Sequence, residues 1–372
     1  MTIKVLVAED SSFQRKIITD ILLSTKEIEE VEIARNGREA IQKIEIFNPD
    51  VLILDLMMPE VDGITVFKFL SEHYPIPTII FTSKSPETLD DSIQALLLGA
   101  FDFIVKPKGL WEEEFPKLKE KLIFSTLYAG KIKKTYEKRN LLIKQSVEIS
   151  KTFEKFREHS QKSIKPKIKP IDSPVKKSLT SNKVIAIGTS TGGPRTLKSI
   201  LKQIPKDFKI PILIIQHLDP YFMKELSKSL NQVCDIKIKI PEDGEKVLPG
   251  IAYLSPGGKH MKIIRKNTIP LIKTFKGDPV NFCIPSVDVL FFSVAEVYKN
   301  QALGIILTGL GNDGAAGLEA IKKEGGKTIA ESEQTCVVFG MPKAAIMKNA
   351  ANYILPNYKI PQKIIEFTNG QF

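Results

Sequence analysis

The chain has 372 residues, which predicts two domains of common size rather than a single core. Hydrophobic residues make up 42% and charged residues 26%, proportions typical of a soluble globular protein. No apolar run reaches the roughly 18 residues that a bilayer requires, and the first residues lack a signal-peptide pattern, so we expect a cytoplasmic protein without a transmembrane segment. The three cysteines, Cys234, Cys283 and Cys336, form no CxxC pair, which argues against a disulfide framework or a zinc cluster.

The formal net charge of +11 is concentrated in one segment. Residues 125–182 carry 15 Lys and Arg against 5 Asp and Glu, so the rest of the chain is close to neutral. The segment combines Lys, Ser and Pro, which is typical of a solvated linker, and apolar residues spaced along 131–159 allow an amphipathic helix. We therefore expect a basic, partly helical linker at 126–182 and no nucleic-acid partner.

Short apolar runs alternate with amphipathic stretches through the first 124 residues. Strands are predicted at 4–8, 31–34, 51–54, 78–81 and 101–105, with helices between them, for example at 13–24 and 37–47. Nearly continuous apolar strands separated by helices are typical of a parallel sheet covered on both faces. The region 1–125 is therefore predicted to be a doubly wound α/β domain.

The apolar pattern restarts at Lys183. The strand candidates are VIAIG, IPILIIQ, GIAYLSP, VDVLFF and ALGIILTG, and helical stretches such as 194–203 and 315–324 lie between them. This pattern predicts a second doubly wound parallel-sheet domain at 183–372, again of common size.

Five polar side chains follow strands of the first domain. Glu9 and Asp10 follow the first strand, Asp55 the third, Thr82 the fourth and Lys106 the fifth. The carboxyl ends of parallel strands meet at one edge of the sheet, where ligands of open α/β sheets bind. Three acids with a lysine and a hydroxyl suit metal-assisted phosphoryl transfer to a carboxylate. Glu9 and Asp10 are then candidate Mg²⁺ ligands, Asp55 is the nucleophile, and Lys106 and Thr82 contact the phosphoryl group.

The segments AEDSS, LDLMMPEVDG, IIFTS and GAFDFIVKP contain these residues and resemble the response-regulator receiver family. The resemblance covers 1–125 and implies a flavodoxin-like fold. It also implies phosphorylation of Asp55, with Mg²⁺ held by Glu9, Asp10 and Asp55, and an aromatic switch at Phe103. Glu9 stands where many receivers have Asp, and its longer side chain keeps the negative charge.

The run VIAIGTSTGGPRTL passes from an apolar strand through glycines into a helix. A nucleotide-binding turn shares this order, but GTSTGG lacks the spacing of GxGxxG and the Lys of a P-loop. A nucleophile elbow, GxSxG, fits Gly188 to Gly192 and exposes its serine beside backbone amides that can stabilise an oxyanion. Ser190 is therefore the candidate nucleophile.

Only two histidines, His217 and His260, belong to the second domain. His217 directly follows a predicted strand and should share a sheet edge with Ser190, whereas His260 follows a PGG turn and is assigned a structural or peripheral role. Asp313 follows another strand, although an Asp at such a place can simply cap the next helix. The predicted triad is Ser190 as nucleophile, His217 as general base and then acid, and Asp313 orienting the imidazole. Its chain order differs from that of α/β-hydrolases.

Around the triad, the segments IGTSTGGPRTL, IIQHLDPYF, PSVDVLFFSVA and ILTGLGNDGAAGL resemble the catalytic domain of the chemotaxis protein-glutamate methylesterases. The resemblance covers most of 183–355, and a receiver followed by an esterase is that family's arrangement. It implies hydrolysis of glutamate methyl esters on chemoreceptors, deamidation of receptor glutamines, and no cofactor for the esterase. It also implies a chemotaxis histidine kinase as phosphodonor and a receiver that covers the Ser190 cleft until Asp55 is phosphorylated.

Three positions depart from the family pattern. Thr189 stands where the family often has Ala, Leu310 where it often has Met, and Ile284 where Arg is usual. The change at Ile284 puts a substrate contact or a domain contact in question. No member of the predicted triad is lost.

Other output functions fit parts of the sequence. A response regulator with a non-catalytic binding output could use the basic linker, but the linker has no helix-turn-helix and the second domain is near neutral. A degenerate esterase acting as a scaffold keeps the fold without the activity. A nucleotide-dependent oxidoreductase is disfavoured because the glycine spacing is wrong.

Overall fold

The computed structural model describes residues 2–107, 115, 116, 118–133 and 181–372. The predicted linker at 126–182 and the predicted amphipathic helix at 131–159 lie mostly outside the described residues. Within the described ranges the chain forms two parallel sheets and one two-stranded antiparallel sheet.

The first sheet has five parallel strands, all of which were predicted. Their spatial order is β2-β1-β3-β4-β5, the flavodoxin-like doubly wound order. The strands are β1 (Ile3–Ala8), β2 (Ile28–Ala34), β3 (Val51–Asp55), β4 (Thr78–Thr82) and β5 (Asp102–Val105). The helices are α1 (Ser12–Leu23), α2 (Gly37–Phe47), α3 (Gly63–His73), α4 (Pro86–Leu98) and α5 (118–133). The predicted fold class is confirmed for this unit.

Local signals explain where several of these elements begin and end. The side chains of Ser11, Asn36 and Asp62 each accept a hydrogen bond from a backbone amide in the first turn of α1, α2 and α3. Such caps satisfy donors that a helix start leaves unpaired. Strands β3 and β4 are buried along their whole length, because parallel strands in a doubly wound sheet have both faces covered. Both strands end at polar side chains, Asp55 and Thr82.

The second sheet has seven parallel strands in the order β14-β13-β12-β6-β7-β9-β8. Its strands are β6 (Val184–Thr189), β7 (Ile212–Gln216), β8 (Lys237–Lys239), β9 (Ile251–Leu254), β12 (Ala302–Ile306), β13 (Lys327–Glu331) and β14 (Tyr353–Leu355). The antiparallel hairpin consists of β10 (His260–Lys266) and β11 (Ile269–Phe275). The helices are α6 (Gly193–Leu201), α7 (Pro220–Val233), α8 (Val287–Tyr298), α9 (Ala315–Lys323), α10 (Met341–Met347) and α11 (Ile360–Thr368).

One predicted strand of this unit is wrong. The run VDVLFF belongs to helix α8. The side chains of Val287, Leu290, Phe291 and Val294 are buried, while Phe292 is half exposed. That spacing buries one helical face, and a short apolar run by itself does not distinguish a buried helix from a buried strand.

The two units are in contact. Helix α4 of the first packs against α6 and α7 of the second. The rings of Phe103 in β5 and Phe222 in α7 meet edge to face, with centroids 4.8 Å apart. Nζ of Lys84 lies 2.9 Å from Oδ2 of Asp219. Helices α6 and α7 are the ones that follow Ser190 and His217 in the chain, so this contact adjoins the candidate catalytic residues.

Candidate active site and phosphorylation site

Four of the five polar residues predicted for the first domain form one cluster at the carboxyl edge of its sheet. Lys106 Nζ lies 2.8 Å from Oδ2 of Asp55 and 2.9 Å from Oε2 of Glu9. Glu9 and Asp55 are almost fully buried, whereas Asp10 is exposed. One oxygen from each of the three carboxylates lies within 4.8 Å of the others. The fifth residue, Thr82, is buried on the next strand.

Thr82 is already hydrogen bonded. Its hydroxyl accepts a bond from Ser92 Oγ at 3.2 Å and donates a long bond of 3.4 Å to the carbonyl oxygen of Ser83. Both partners lie on the β4–α4 segment, so a new acceptor at Thr82 would compete with contacts that hold this segment.

The cluster has more negative than positive charge. Burial, with a second contribution from the neighbouring Asp55 carboxylate, raises the pKa of Glu9 to about 7, and Lys106 only partly opposes this rise. Burial also raises the pKa of Asp55, again against the influence of Lys106. A group of carboxylate oxygens with one lysine fits a hard divalent cation, which binds oxygen ligands and favours their ionised form. The residues present therefore fit Mg²⁺.

Ser190 lies on a tight turn at the carboxyl edge of the second sheet, between β6 and α6. Its amide donates to the carbonyl oxygen of Thr308 at 3.0 Å, and its own carbonyl accepts from Nε2 of Gln216 at 2.9 Å. Gly192 has φ of 78°, a left-handed conformation that glycine adopts without steric cost. A Cβ at Gly193 would lie 2.1 Å from Oε1 of Gln216. The two glycines therefore let the helix start directly beneath the serine.

His217 and Asp313 come from two other strand ends of the same edge. The amide of His217 donates to the carbonyl oxygen of Thr189 at 3.0 Å, which holds the histidine beside the Ser190 turn. Nε2 of His217 lies 2.9 Å from Oδ2 of Asp313. Strand β6 lies between β7 and β12 in the sheet, so all three predicted triad residues follow adjacent strands.

Asp313 is the most heavily hydrogen-bonded carboxylate in this region. Besides His217, it accepts bonds from Nδ2 of Asn281 at 2.9 Å, Oγ of Ser286 at 2.7 Å and the amide of Val287 at 2.7 Å. Burial alone would raise the pKa of Asp313, but the bonds from His217 and Asn281 outweigh it and leave the pKa below its usual value. The carboxylate stays ionised and can orient the imidazole.

The other ring nitrogen of His217 faces a cysteine. Sγ of Cys283 lies 3.6 Å from Nδ1 of His217. Among the residues that the structure describes, Ser190 Oγ makes no hydrogen bond to His217, so the thiol occupies the position next to the candidate base. Nδ1 is the nitrogen left for proton transfer, because Nε2 faces Asp313.

Sequence reasoning missed Asn281, Cys283 and Ser286. All three lie in the segment before α8, far in sequence from Ser190, and no periodic or spacing signal marks them. His260 was expected to be structural or peripheral. It is buried between Asp278 and Ser286, with Nε2 2.9 Å from the Asp278 carbonyl oxygen and Nδ1 accepting from the Ser286 amide at 3.2 Å.

Ile284 and Leu310, which depart from the family pattern, both lie close to the site in the chain. Ile284 follows Cys283, and Leu310 follows Gly309, where a Cβ would lie 2.8 Å from that of Ser190. Leu310 is 36% exposed.

The two clusters are connected through short segments. Lys84 lies two residues after Thr82, and its ion-pair partner Asp219 lies two residues after His217. Phe103, the candidate aromatic switch, is buried against Phe222 of α7. The carboxyl edge of the first sheet is therefore joined by direct contacts to the segments that follow His217.

The fold and the two clusters define a class of protein, a response-regulator receiver joined to a hydrolase domain. The family model of the response regulator receiver domain matches residues 5–112, and that of CheB methylesterase matches residues 185–364.

Similar proteins cover nearly the whole chain. A protein-glutamate methylesterase/protein-glutamine glutaminase of Archaeoglobus fulgidus is 38% identical over 98% of this chain and 97% of its own. One of Halalkalibacterium halodurans is 40% identical over 95% of this chain and 94% of its own. The crystal structure of the Thermotoga maritima CheB methylesterase catalytic domain is 44% identical, with 50% of this chain and 99% of that chain covered and a TM-score of 0.49. The chain belongs to the CheB methylesterase family, and the predicted resemblance is confirmed.

No helix in the described parts of the chain has the length and apolar character needed to cross a membrane.

We predict that ester hydrolysis accelerates as the pH rises through about 9. Burial lowers the pKa of His217, but its hydrogen bonds with Asp313 and Cys283 outweigh that effect and raise the pKa to about 9. Only the neutral imidazole can accept a proton from a nucleophile, so the active form accumulates above this pKa. The measurement is kcat/KM for a small ester as a function of pH. A wild-type rate that is already constant from about pH 7 upwards contradicts the assignment.

Asp313→Asn should shift this profile to lower pH and lower its plateau. The substitution removes the carboxylate that raises the pKa of His217 and holds its ring, and the rate at high pH should fall by about 10²-fold or more. Glu319→Gln, a partly exposed acid on α9, is the control and should leave the profile in place. An Asp313→Asn profile that matches the wild type in both pKa and plateau contradicts the role of Asp313.

Alkylation of Cys283 should inactivate the esterase. Cys283 is partly exposed, whereas Cys234 and Cys336 are buried, and a group attached to its sulfur would occupy the space beside Nδ1 of His217. Treatment with iodoacetamide should reduce the rate about tenfold or more, since general-base catalysis is lost. The same treatment should have a much smaller effect on Cys283→Ala. Equal inactivation of both proteins contradicts the prediction.

Proposed function

We propose that the chain is a phosphorylation-controlled protein-glutamate methylesterase that acts on chemoreceptors and also deamidates their glutamines. Its products are methanol from methyl esters and ammonia from glutamine side chains. The proposal rests mainly on the His217–Asp313 pair, in which Nε2 and Oδ2 are 2.9 Å apart. This pair lies beside Ser190, which follows the neighbouring strand. Membership of the CheB methylesterase family supports the choice of substrate.

In this mechanism Ser190 attacks the side-chain carbonyl carbon of the substrate, and Nδ1 of His217 takes the hydroxyl proton. The proton then passes to the leaving methoxide or amide, the bond to the leaving group breaks, and an acyl-enzyme remains on Ser190. Water, deprotonated by His217, hydrolyses this intermediate and releases glutamate. Asp313 holds the ring and stabilises the imidazolium. The Cys283 thiol moves away from Nδ1 of His217 when the Ser190 hydroxyl approaches that nitrogen.

In the receiver, Asp55 accepts a phosphoryl group from a chemotaxis histidine kinase. Glu9, Asp10 and Asp55 would hold Mg²⁺, and the bound ion would neutralise charge on the transferring group. Lys106 forms an ion pair with a phosphoryl oxygen in place of its present bond to Asp55, and Thr82 donates a hydrogen bond to another. This assignment follows the positions of the five residues at one sheet edge.

Control of the esterase arises from the contact between the two units. The receiver face made by α4 and β5 covers α6 and α7, which lead away from Ser190 and His217. Phosphorylation adds about −1.5 to −2 charges beside Thr82 and draws the β4–α4 segment toward Asp55. The Lys84–Asp219 ion pair and the Phe103–Phe222 contact then weaken, and the cleft opens to substrate.

The chain divides into a receiver, a linker and an esterase domain. We assign 1–125 to the receiver, 126–182 to the linker and 183–372 to the esterase, because the two parallel sheets fall within the outer ranges. Helix α5 continues past residue 125 to residue 133, so the first residues of the linker range pack on the receiver, as the buried Ala129 does. We place the reaction in the cytoplasm, where a histidine kinase would supply the phosphoryl group. The esterase is assigned no cofactor.

Methanol release from a methylated receptor fragment tests the esterase activity and its control by phosphorylation. Wild-type protein treated with a small-molecule phosphodonor and Mg²⁺ should release methanol faster than untreated protein. Ser190→Ala should abolish release, and Asp55→Asn should keep release at the untreated rate. Ser199→Ala on α6 and Asp20→Asn on α1 are matched controls that should behave as wild type. A wild type that releases no methanol when phosphorylated would favour a non-catalytic scaffold.

Lys84→Glu should activate the unphosphorylated enzyme. The substitution replaces an ion pair with Asp219 by repulsion across the contact, but both side chains are partly exposed, so a gain of only about threefold is expected. Lys323→Glu, which changes an exposed lysine on α9, is the control. The measurement is methanol release without phosphodonor, and no gain in Lys84→Glu contradicts a restraining role for the ion pair.

A further inference from the structure

One aromatic side chain beside the catalytic residues is fully exposed. Phe282 has a relative accessibility of 102%, the largest among the apolar residues of the described chain. It lies between Asn281, which binds Asp313, and Cys283, which contacts His217. A phenyl ring in water is unfavourable, so its position at the active site needs a physical reason.

The backbone that presents Phe282 is a tight turn. Val280 and Cys283 exchange backbone hydrogen bonds of 3.2 Å and 3.0 Å, which close a two-residue loop. The two central residues, Asn281 and Phe282, have φ of 52° and 62°. Positive φ at both positions is typical of a type I′ turn, which strongly favours Asn-Gly. Asn281 fits this preference and Phe282 does not.

A bulky residue in the left-handed region is a conformational outlier. Glycine at position 282 would relax the turn and remove the exposed ring, so both folding and solubility favour it over phenylalanine. Residues kept in such conformations cluster at functional sites. A strained, exposed phenylalanine next to the candidate catalytic residues is therefore a candidate for a functional contact.

The turn is held rigidly against the catalytic residues. Nδ2 of Asn281 donates to Asp313 at 2.9 Å and to Asp288 at 2.7 Å. The chain before the turn is held at Asp278 through His260. The backbone of the turn that presents Phe282 thus has a nearly fixed position relative to His217 and Asp313.

Two other apolar side chains on segments that touch the site are also partly exposed. Val280, in the same turn, is 38% exposed, and Leu310, next to the glycine that contacts Ser190, is 36% exposed. The surface around the catalytic residues therefore offers apolar contacts to a polypeptide, in addition to polar contacts for the reacting side chain.

We propose that Phe282 binds the substrate polypeptide, with its ring packed against an apolar side chain next to the methylated glutamate or the glutamine. This inference rests on the proposed function, since it concerns how that same site selects a protein over a small ester. The ring touches the substrate outside the reacting group. It contributes mainly to affinity and leaves the bond-breaking steps to the triad.

The test compares Phe282→Gly with wild type on two substrates, a methylated receptor fragment and a glutamate γ-methyl ester of single-residue size. Burial of an aromatic ring against a partner changes affinity by about tenfold. Phe282→Gly should raise KM for the receptor fragment by about that factor, and its loss in kcat/KM should be about tenfold larger for the fragment than for the small ester. Phe282→Tyr should restore most of the affinity for the fragment.

Stability provides an independent readout. Because Asn-Gly suits the turn better than Asn-Phe, Phe282→Gly should melt at the same temperature as wild type or higher. A variant that melts lower and loses both substrates equally would show that Phe282 only supports the fold, which overturns the proposal. Phe292→Ala, a half-exposed phenylalanine on α8, is the control and should not change the ratio between the substrates.

The outcome also separates this inference from the proposed function. If wild type hydrolyses neither substrate, the methylesterase assignment fails and the inference fails with it. If wild type hydrolyses both and Phe282→Gly keeps the wild-type KM for the fragment, only the role of Phe282 is overturned.

Discussion

The buried carboxylate of Asp313 organises the catalytic side of the molecule. It accepts a bond from His217 and further bonds from Asn281, Ser286 and the amide of Val287. These partners come from a separate strand end, from the turn before α8 and from the start of α8 itself. One ionised group thus fixes the candidate base, the first turn of a helix and the turn that carries Phe282 relative to one another.

The two acidic centres show how the surroundings of a buried carboxylate decide its chemistry. Glu9 and Asp313 are both buried, yet the pKa of Glu9 is raised and that of Asp313 is lowered. Asp313 is surrounded by donors, and their hydrogen bonds outweigh the loss of hydration. Glu9 shares a single lysine with Asp55 and faces its negative charge. The Asp313 environment stabilises a permanent anion, whereas the Glu9 environment has excess negative charge and suits an added cation.

Most strands, and the placement of the candidate site residues at the sheet edges, could be predicted from the sequence for one physical reason. Parallel strands are buried on both faces and read as apolar runs, and their carboxyl ends share an edge. Asp55, Ser190 and His217 could therefore be placed before their contacts were known. The strand predicted at VDVLFF was wrong because an apolar run of six residues also fits a buried helix. Strands β8, β10, β11, β13 and β14 were not predicted, and two of them, β8 and β14, are only three residues long.

The sequence by itself thus determined two doubly wound units, the family and the residues at each sheet edge. Only the tertiary structure decided which groups surround those residues. The Asn281 and Ser286 bonds to Asp313, the Cys283 thiol at His217 and the Lys84–Asp219 pair join segments far apart in the chain. Hydrogen bonds and ion pairs of this kind depend on distances of a few ångströms between such segments, and local periodicity contains no information about these distances.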